Sequence, residues 1–254
     1  MQAISHFLSV TQNANRPILT HYHSFRDEIS GPVAARWVAK MANLLASDLS
    51  PDLFGDSESA PRILTNLPGG WQSTFWQVSA NFMGWETQNG AISQVSPSNA
   101  FSFDVHVSDE LVALEASTAA WRLAHSTAPL AMRWRGPLPA GILDALAELM
   151  AQSDQFEYEA LESAPALDDY IAQVDAEEDA LFEADSALGM PTRLGLYTEN
   201  FPSAPLLTRL WLAGHSVVIV DKSHYDAQKA QEIFASEKVQ LAVNEELKAP
   251  HSRG

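Results

Sequence analysis

Three short motifs and one aromatic group contain residue types that chemistry uses. His21 and His23 lie two apart in a strand-like run, so both imidazoles would share a face. Two imidazoles could begin a metal site, but zinc takes three or four ligands, and no HExxH or adjoining carboxylate cluster completes the set. We read them as partly exposed polar strand residues and assign no metal ligand. His6, His106, His125, His215, His224 and His251 are scattered without ligand spacing. Gly69-Gly70 falls between a strand signal and a helix signal, where backbone N–H groups can face an anion. Neither G-x-G-x-x-G nor G-x-x-x-x-G-K-[ST] occurs, so the pair reads as a tight connection with glycine supplying unusual dihedrals. Gly214-His-Ser216-Val-Val218 approaches the G-x-S-x-G nucleophile elbow. Position 218 is Val, and Ser216 opens a strand instead of following one, which argues against a serine hydrolase. Seven tryptophans include Trp37, Trp71, Trp76 and Trp85, which could line a ligand pocket but are better read as core. No catalytic residue is assigned.

Charge and composition restrict the partners. The 254 residues carry 15 Lys+Arg against 32 Asp+Glu, a net charge of −17, with no cysteine. That balance argues against electrostatic binding of nucleic acid or anionic membrane. It also leaves no thiolate metal site, disulfide framework or cysteine nucleophile. No apolar run approaches the roughly 18–20 residues of a membrane span, and no signal peptide is expected, so a cytoplasmic protein is expected. Between Arg135 and Arg193 there is no Lys, Arg or His, while 14 acids accumulate from Asp144 to Asp185. Asp175-Ala-Glu-Glu-Asp179 lacks the alternation and central glycine of an EF-hand. We expect a solvated excursion of helices joined by a mobile loop, in which Leu161, Leu167, Ile171, Leu181 and Phe182 let parts pack.

The elements that must position these residues alternate between strand and helix, the pattern of an α/β fold. Pro17–Tyr22 reads as a strand, and Ser30-Gly-Pro32 opens a helix with Val33, Trp37, Met41, Leu44 and Leu45 on one stripe. A polar linker from Ser47 to Pro61 leads to a strand at Arg62–Leu67. Trp71, Phe75, Val78 and Phe82 then follow at helical spacing, closed by Gly84 or Gly90. Further expectations are a strand over Phe101–Val107, a helix over Asp109–Ala120, a strand at Leu130–Trp134, a turn at Gly136–Gly141 and a helix face at Ile142, Leu146 and Leu149. After the acidic stretch come a helix over Pro205–Ala213 ended by Gly214, a strand at Ser216–Val220, a helix over Asp226–Ser236 and a strand at Val239–Val243. The last three form a βαβ unit with parallel strands.

Several of these stretches, in order, resemble the adenylate-forming (AMP-binding, acyl-CoA synthetase-like) enzymes. Thr20-His-Tyr22 followed by Trp37–Leu45 is similar to their opening strand and helix. Arg62–Pro68 with Trp71–Gly84 resembles their "RVAVLLPNSPEFVVAFLAALRAG" unit. Ser102–Leu111 resembles the next strand and helix, and Pro205–Ile219 resembles "gLl.pLlaGatvvl", with Glu237-Lys-Val239 like the "ykVT" that follows. More closely, the pattern is similar to a family of short actinobacterial proteins related to these enzymes. The resemblance implies an α/β fold with a mostly parallel sheet flanked by helices, like a truncated N-terminal domain of an adenylate-forming enzyme. We expect a single domain over 1–254 with an acidic insertion at about 151–192.

The departures bear on function. The family carries a phosphate loop, "YTSGTTGxPKG", between the two matching regions. Here that interval is the acidic stretch, and Ser186–Arg193 lacks the repeated hydroxyls and the lysine. The chain also ends before the places for the adenine-side motif, the ribose aspartate and the C-terminal lysine. Adenylation needs magnesium and cations against charge developing on the α-phosphate, and no residue can be named for that task. ATP or AMP is therefore unsupported by any motif, and the cofactor is left unknown. The expected function is that of a catalytically degenerate relative with a small-molecule or protein-interaction role. The alternatives are a divergent AMP-forming enzyme and an acidic scaffold engaging a basic protein.

Overall fold

A computed structural model of the protein describes residues 3–14, 16–50, 60–90, 103–162, 164–174 and 191–243. The first half contains α1 (Ala3–Gln12), β1 (Pro17–Tyr22), β2 (Arg26–Ser30), α2 (Gly31–Ala46), β3 (Arg62–Asn66), α3 (Trp71–Met83), β4 (Glu86–Asn89) and β5 (Val105–Ser108). The second half adds α4 (Leu111–Ala116), β6 (Trp121–Ala124), β7 (Leu143–Asp144), α5 (Ala145–Ala151), α6 (Leu167–Ile171), β8 (Arg193–Thr198), α7 (Ala204–Leu212), β9 (Ser216–Asp221), α8 (Ala227–Ser236) and β10 (Leu241–Val243). Where one sheet was expected, the chain builds two, each five-stranded, in two compact units.

The first unit comprises residues up to Leu8 and Ala35–Tyr170. Its sheet has the order β4-β3-β5-β6-β7, and every neighbouring pair is parallel. Strands buried on both faces read as continuous apolar runs, and Ile63, Leu64, Val105, Val107 and Leu123 are fully buried. Phe75, Trp76, Val78 and Phe82 of α3 and Val38, Met41, Leu44 and Leu45 of α2 complete the core. The Ser79 hydroxyl donates to the Val38 carbonyl at 3.1 Å, joining the two helices. The expected α2 stripe is rotated: Val33 is exposed and Trp37 half-buried, while Ala34, Val38 and Ala42 fill the buried side. Gly84, at φ 89°, ends α3, since only glycine takes that conformation without steric cost.

Three expectations in this unit need correction. Leu130–Trp134 is not a strand but a bent loop in which Leu130 has φ 57°. The strand is Trp121–Ala124, four residues with an arginine, too short and mixed to show a period. The helix expected over Asp109–Ala120 contracts to Leu111–Ala116. The front of the acidic stretch is also strapped down. Lys40, almost fully buried, donates to the Gln152 carbonyl and pairs with Asp154 at 2.9 Å. Asn43 donates to the Ser153 and Gln155 carbonyls and accepts from the Glu157 N–H. Tyr170, not among the residues expected to pack, is fully buried edge-on to Phe82 at 5.1 Å. Leu181 and Phe182 lie outside the described residues, as does most of the Ser47–Pro61 linker.

The second unit comprises Ser9–Ala34 and Ile171 onwards. Its sheet has the order β10-β8-β9-β1-β2, parallel except for the antiparallel β1–β2 pair. β2 was unforeseen because Arg26-Asp-Glu-Ile-Ser30 is mostly charged, the composition of a protected edge. The expected βαβ unit is present, with β8 inserted between its strands β9 and β10. Ala230, Ile233 and Phe234 of α8 pack with Tyr197, Val218 and Val220, as the helical spacing implied.

Candidate functional site

The topology of the first sheet marks one position in advance. The chain runs outward from β3 to β4 and then returns to place β5 on the other side of β3. In open parallel sheets that reversal leaves a crevice outside the carboxyl ends of the two central strands, where ligands bind. β3 ends at Asn66, and its amide donates to the Ser108 hydroxyl, the end of β5, at 3.3 Å. Ser108 is fully buried, and its oxygen also accepts from the Glu110 N–H at 3.0 Å. Asp109 is half-buried and accepts from the Thr127 hydroxyl at 3.4 Å. Burial lifts its pKa above the usual carboxylate range, against the bonds from its own backbone and from Thr127.

The sequence between Asn66 and α3 contributes the turn read as a glycine connection. Gly69 is exposed, and Gly70, the N-cap of the 13-residue α3, has no side chain with which to cap the first-turn N–H groups. The role expected for glycine dihedrals here is not needed. Gly70 has φ 170°, an extended conformation open to any residue. His125 follows β6, fully buried, its ring 6.4 Å from that of Trp76. Neither ring nitrogen has an aligned hydrogen-bond partner. Burial lowers its pKa to about 4; the Ser126 backbone lies near enough to oppose this without forming an aligned bond. His106 on β5 is likewise buried, unpartnered and lowered to about 4 by burial.

The carboxyl edge of the second sheet gathers the sequence-level histidine pair. His21 is on β1 and His23 just beyond it, and their rings stack at 4.4 Å. His21 is buried, contrary to the partly exposed reading, because Phe201 packs edge-on against it at 4.9 Å. Burial, then the nearby His23 and His224, lower its pKa to about 4, with Asp221 opposing. Asp221 is occupied by the Ser223 N–H and hydroxyl, each at 2.7 Å. Among the described residues no group of three or more His, Asp or Glu is arranged to hold a metal.

At the opposite, amino edge, Arg193 is a buried cation held by four acceptors. It donates to Glu237 Oε2 at 2.6 Å, the Glu237 carbonyl at 2.8 Å, Ser216 Oγ and Thr20 Oγ1. Glu237 also accepts from Tyr22 and Arg26. Burial would raise its pKa, but these hydrogen bonds outweigh that and hold it below the usual range. The network ties β1, β8, β9 and the end of α8 together, as a structural clamp would. Ser216 begins β9 and is buried within this network, so the elbow reading fails on position as well as sequence. Trp76 and Trp85 are core, and Trp37 stacks obliquely on Trp71 at 5.5 Å.

No protein-family description and no curated protein matches this sequence. Solved structures do. Over 94% of its length the chain is similar to the amide bond synthetase of Marinactinospora thermotolerans, at 12% identity and TM-score 0.56, covering 48% of that chain. It is similar over 95% to an acyl-CoA synthetase of Brucella canis, at 15% identity and TM-score 0.58, covering 47% of that chain. The Klebsiella oxytoca NpsA N-terminal subdomain, solved with 3-hydroxybenzoyl-AMSN, matches over 94% at 12% identity and TM-score 0.57, with 58% of it covered. The chain thus has the fold of the N-terminal domain of adenylate-forming enzymes and spans about half the length of the full enzymes it matches. Among the described residues no helix is long and apolar enough to cross a membrane.

Proposed function

We propose that this is a cytoplasmic adenylate-forming-like protein that does not perform the ligase reaction and holds a small molecule at the β3–β5 reversal. One observation carries the reading. The scaffold extends over 94% of the chain, yet the interval where the resembled family has its phosphate loop contains no Lys, Arg or His. A reaction that builds negative charge on an α-phosphate needs cations positioned there. The Asn66, Ser108, Thr127 and Asp109 groups near the first turn of α3 offer hydrogen bonds for orientation and include no cation. The ligand-bound NpsA subdomain favours an acyl or acyl-adenylate-like compound as the first class to try.

The test pairs thermal shift against ATP–magnesium, AMP, coenzyme A and a carboxylate panel with carboxylate-dependent pyrophosphate exchange. We expect no exchange and a saturable shift with one compound, about 2.7 kcal/mol of added stability at a hundredfold excess over Kd. Ser108→Ala and Asn66→Ala should reduce that shift. Pyrophosphate exchange would overturn the degenerate reading in favour of a divergent AMP-forming enzyme. A shift untouched by both variants would remove the site from the β3–β5 reversal.

A further inference from the structure

Apart from Val112 of α4, the large exposed apolar side chains described on the first unit occur in two stretches of opposite charge. The loop after β6 presents Leu130, 97% exposed, and Met132, 56% exposed, beside exposed Arg133 and Arg135. This loop is held in place. Trp134 and Leu138 pack on Leu114, Ala124 and Ile142, and the Trp134 N–H donates to Asp144 at 2.8 Å. Leu130 has φ 57°, a conformation that disfavours a residue with a Cβ. Backbone strain of this kind persists only where the surroundings impose it. The second stretch presents Met150, 43% exposed, and Tyr158, 42% exposed, among Asp154, Glu157, Glu159 and Glu162, all exposed. It too is anchored, through Lys40 and Asn43.

We propose that the protein associates with itself head to tail, the Leu130–Arg135 loop of one copy docking on the Met150–Glu162 stretch of the next. Charge complementarity selects a second copy as occupant. Each stretch supplies what the other lacks, an apolar centre beside Arg133 and Arg135 on one and beside Glu157, Glu159 and Glu162 on the other, where Asp154 is already paired with Lys40 and Arg36. No positive charge interrupts the acidic one between Arg135 and Arg193. The contact pairs unlike surfaces, and repeated in one direction it forms rings or open chains. Its small size places it among weak, transient interfaces, with Kd on the order of 10–100 µM. The inference does not depend on any small-molecule ligand.

Sedimentation velocity of the full chain over a concentration series reads it directly. Concentration-dependent association is expected at about 50 mM salt and should weaken at least severalfold by about 0.5 M, as screening shortens the reach of the rim charges. Arg133→Glu with Arg135→Glu should abolish it, as should Glu157→Lys with Glu159→Lys. An equimolar mixture of the two reversed chains should recover a heterodimer, which no loss of folding can imitate. Leu130→Ser, with an unchanged melting temperature, should weaken association about tenfold. A monomer at low salt and about 200 µM, above the expected Kd, overturns the proposal and leaves the loop to a different acidic partner. Association indifferent to both charge reversals overturns it as well, by placing the contact elsewhere.

Discussion

Three imidazoles govern the acid response at the level of single residues. His21, His106 and His125 are buried and lowered to about 4, against 6.5 for an exposed histidine. Between those values the unfolded chain takes up protons that the native protein refuses. Stability therefore rises with pH across this window and falls on acidification from 6.5 toward 4. Each histidine contributes at most about 1.4 kcal/mol per pH unit. The lowered carboxylates Asp221 and Glu237 act with the same sign but below the ordinary carboxylate range, while Asp109, raised by burial, opposes, so between about pH 6.5 and 5 the three imidazoles outnumber the one opposing group. Melting temperature should fall through that interval, and more gently in His106→Leu. That variant should be at least as stable at pH 7, because it replaces an unpartnered buried polar ring by an apolar side chain. A melting temperature flat from pH 6.5 to 5 would contradict the burial assigned to all three.

Two glycines set how closely elements approach in the second unit. A Cβ on Gly31, at the start of α2, would lie 2.0 Å from the Thr11 carbonyl oxygen and 2.8 Å from Ala14 Cβ. A Cβ on Gly195, in β8, would meet Val239 at 2.8 Å and the Phe234 ring at 3.0 Å. Gly31→Ala meets backbone, which cannot rotate aside, and should cost more than the usual 1–3 kcal/mol of overpacking, while Gly195→Ala should fall within about that range. Gly70→Ala, with 3.4 Å to its nearest neighbour, should change stability little. Chemical denaturation of the three variants checks the ranking, and equal losses would refute the close approach at Gly31. In the sequence Gly31 is only the middle of the Ser30-Gly-Pro32 helix opening, and Gly195 bears no signal at all. Elements with a long period were legible: β1, α2, β3, α3, α7, β9 and α8 lie close to where their apolar spacing put them. β2, β6 and β7 were missed because they are short or charged, so pairing partners define them more than their own residues do. The candidate site was half legible for the same reason. Asn66–Trp71 stands out as a strand-to-helix turn, whereas Ser108, Asp109 and His125 join it through strand order alone.

Charge distribution gives the whole molecule a salt response of predictable sign. Of its 32 acids, 14 lie in the interval without a single basic residue, and the rest of the chain is close to balanced. Folding holds part of that interval against α2 through Lys40, Asn43 and Arg36, so its carboxylates are closer together than in the unfolded chain. Self-repulsion of this kind destabilises the compact state and is screened by salt. Loss of the Lys40–Asp154 attraction on screening works the other way, but Asp154 is exposed and solvent already weakens that pair. Repulsion among many charges should therefore prevail, raising stability by about 1 kcal/mol from low to physiological salt, or a melting temperature gain of about 2–4 °C. Head-to-tail association would act oppositely, stabilising the native chain at low salt by mass action. The Arg133→Glu/Arg135→Glu chain at low concentration removes that contribution, although its own charge change deepens the negative field and should steepen the rise. A melting temperature that falls with salt in this variant would mean that attraction to Lys40 and Arg36, and not repulsion among the acids, dominates the electrostatics of the acidic stretch.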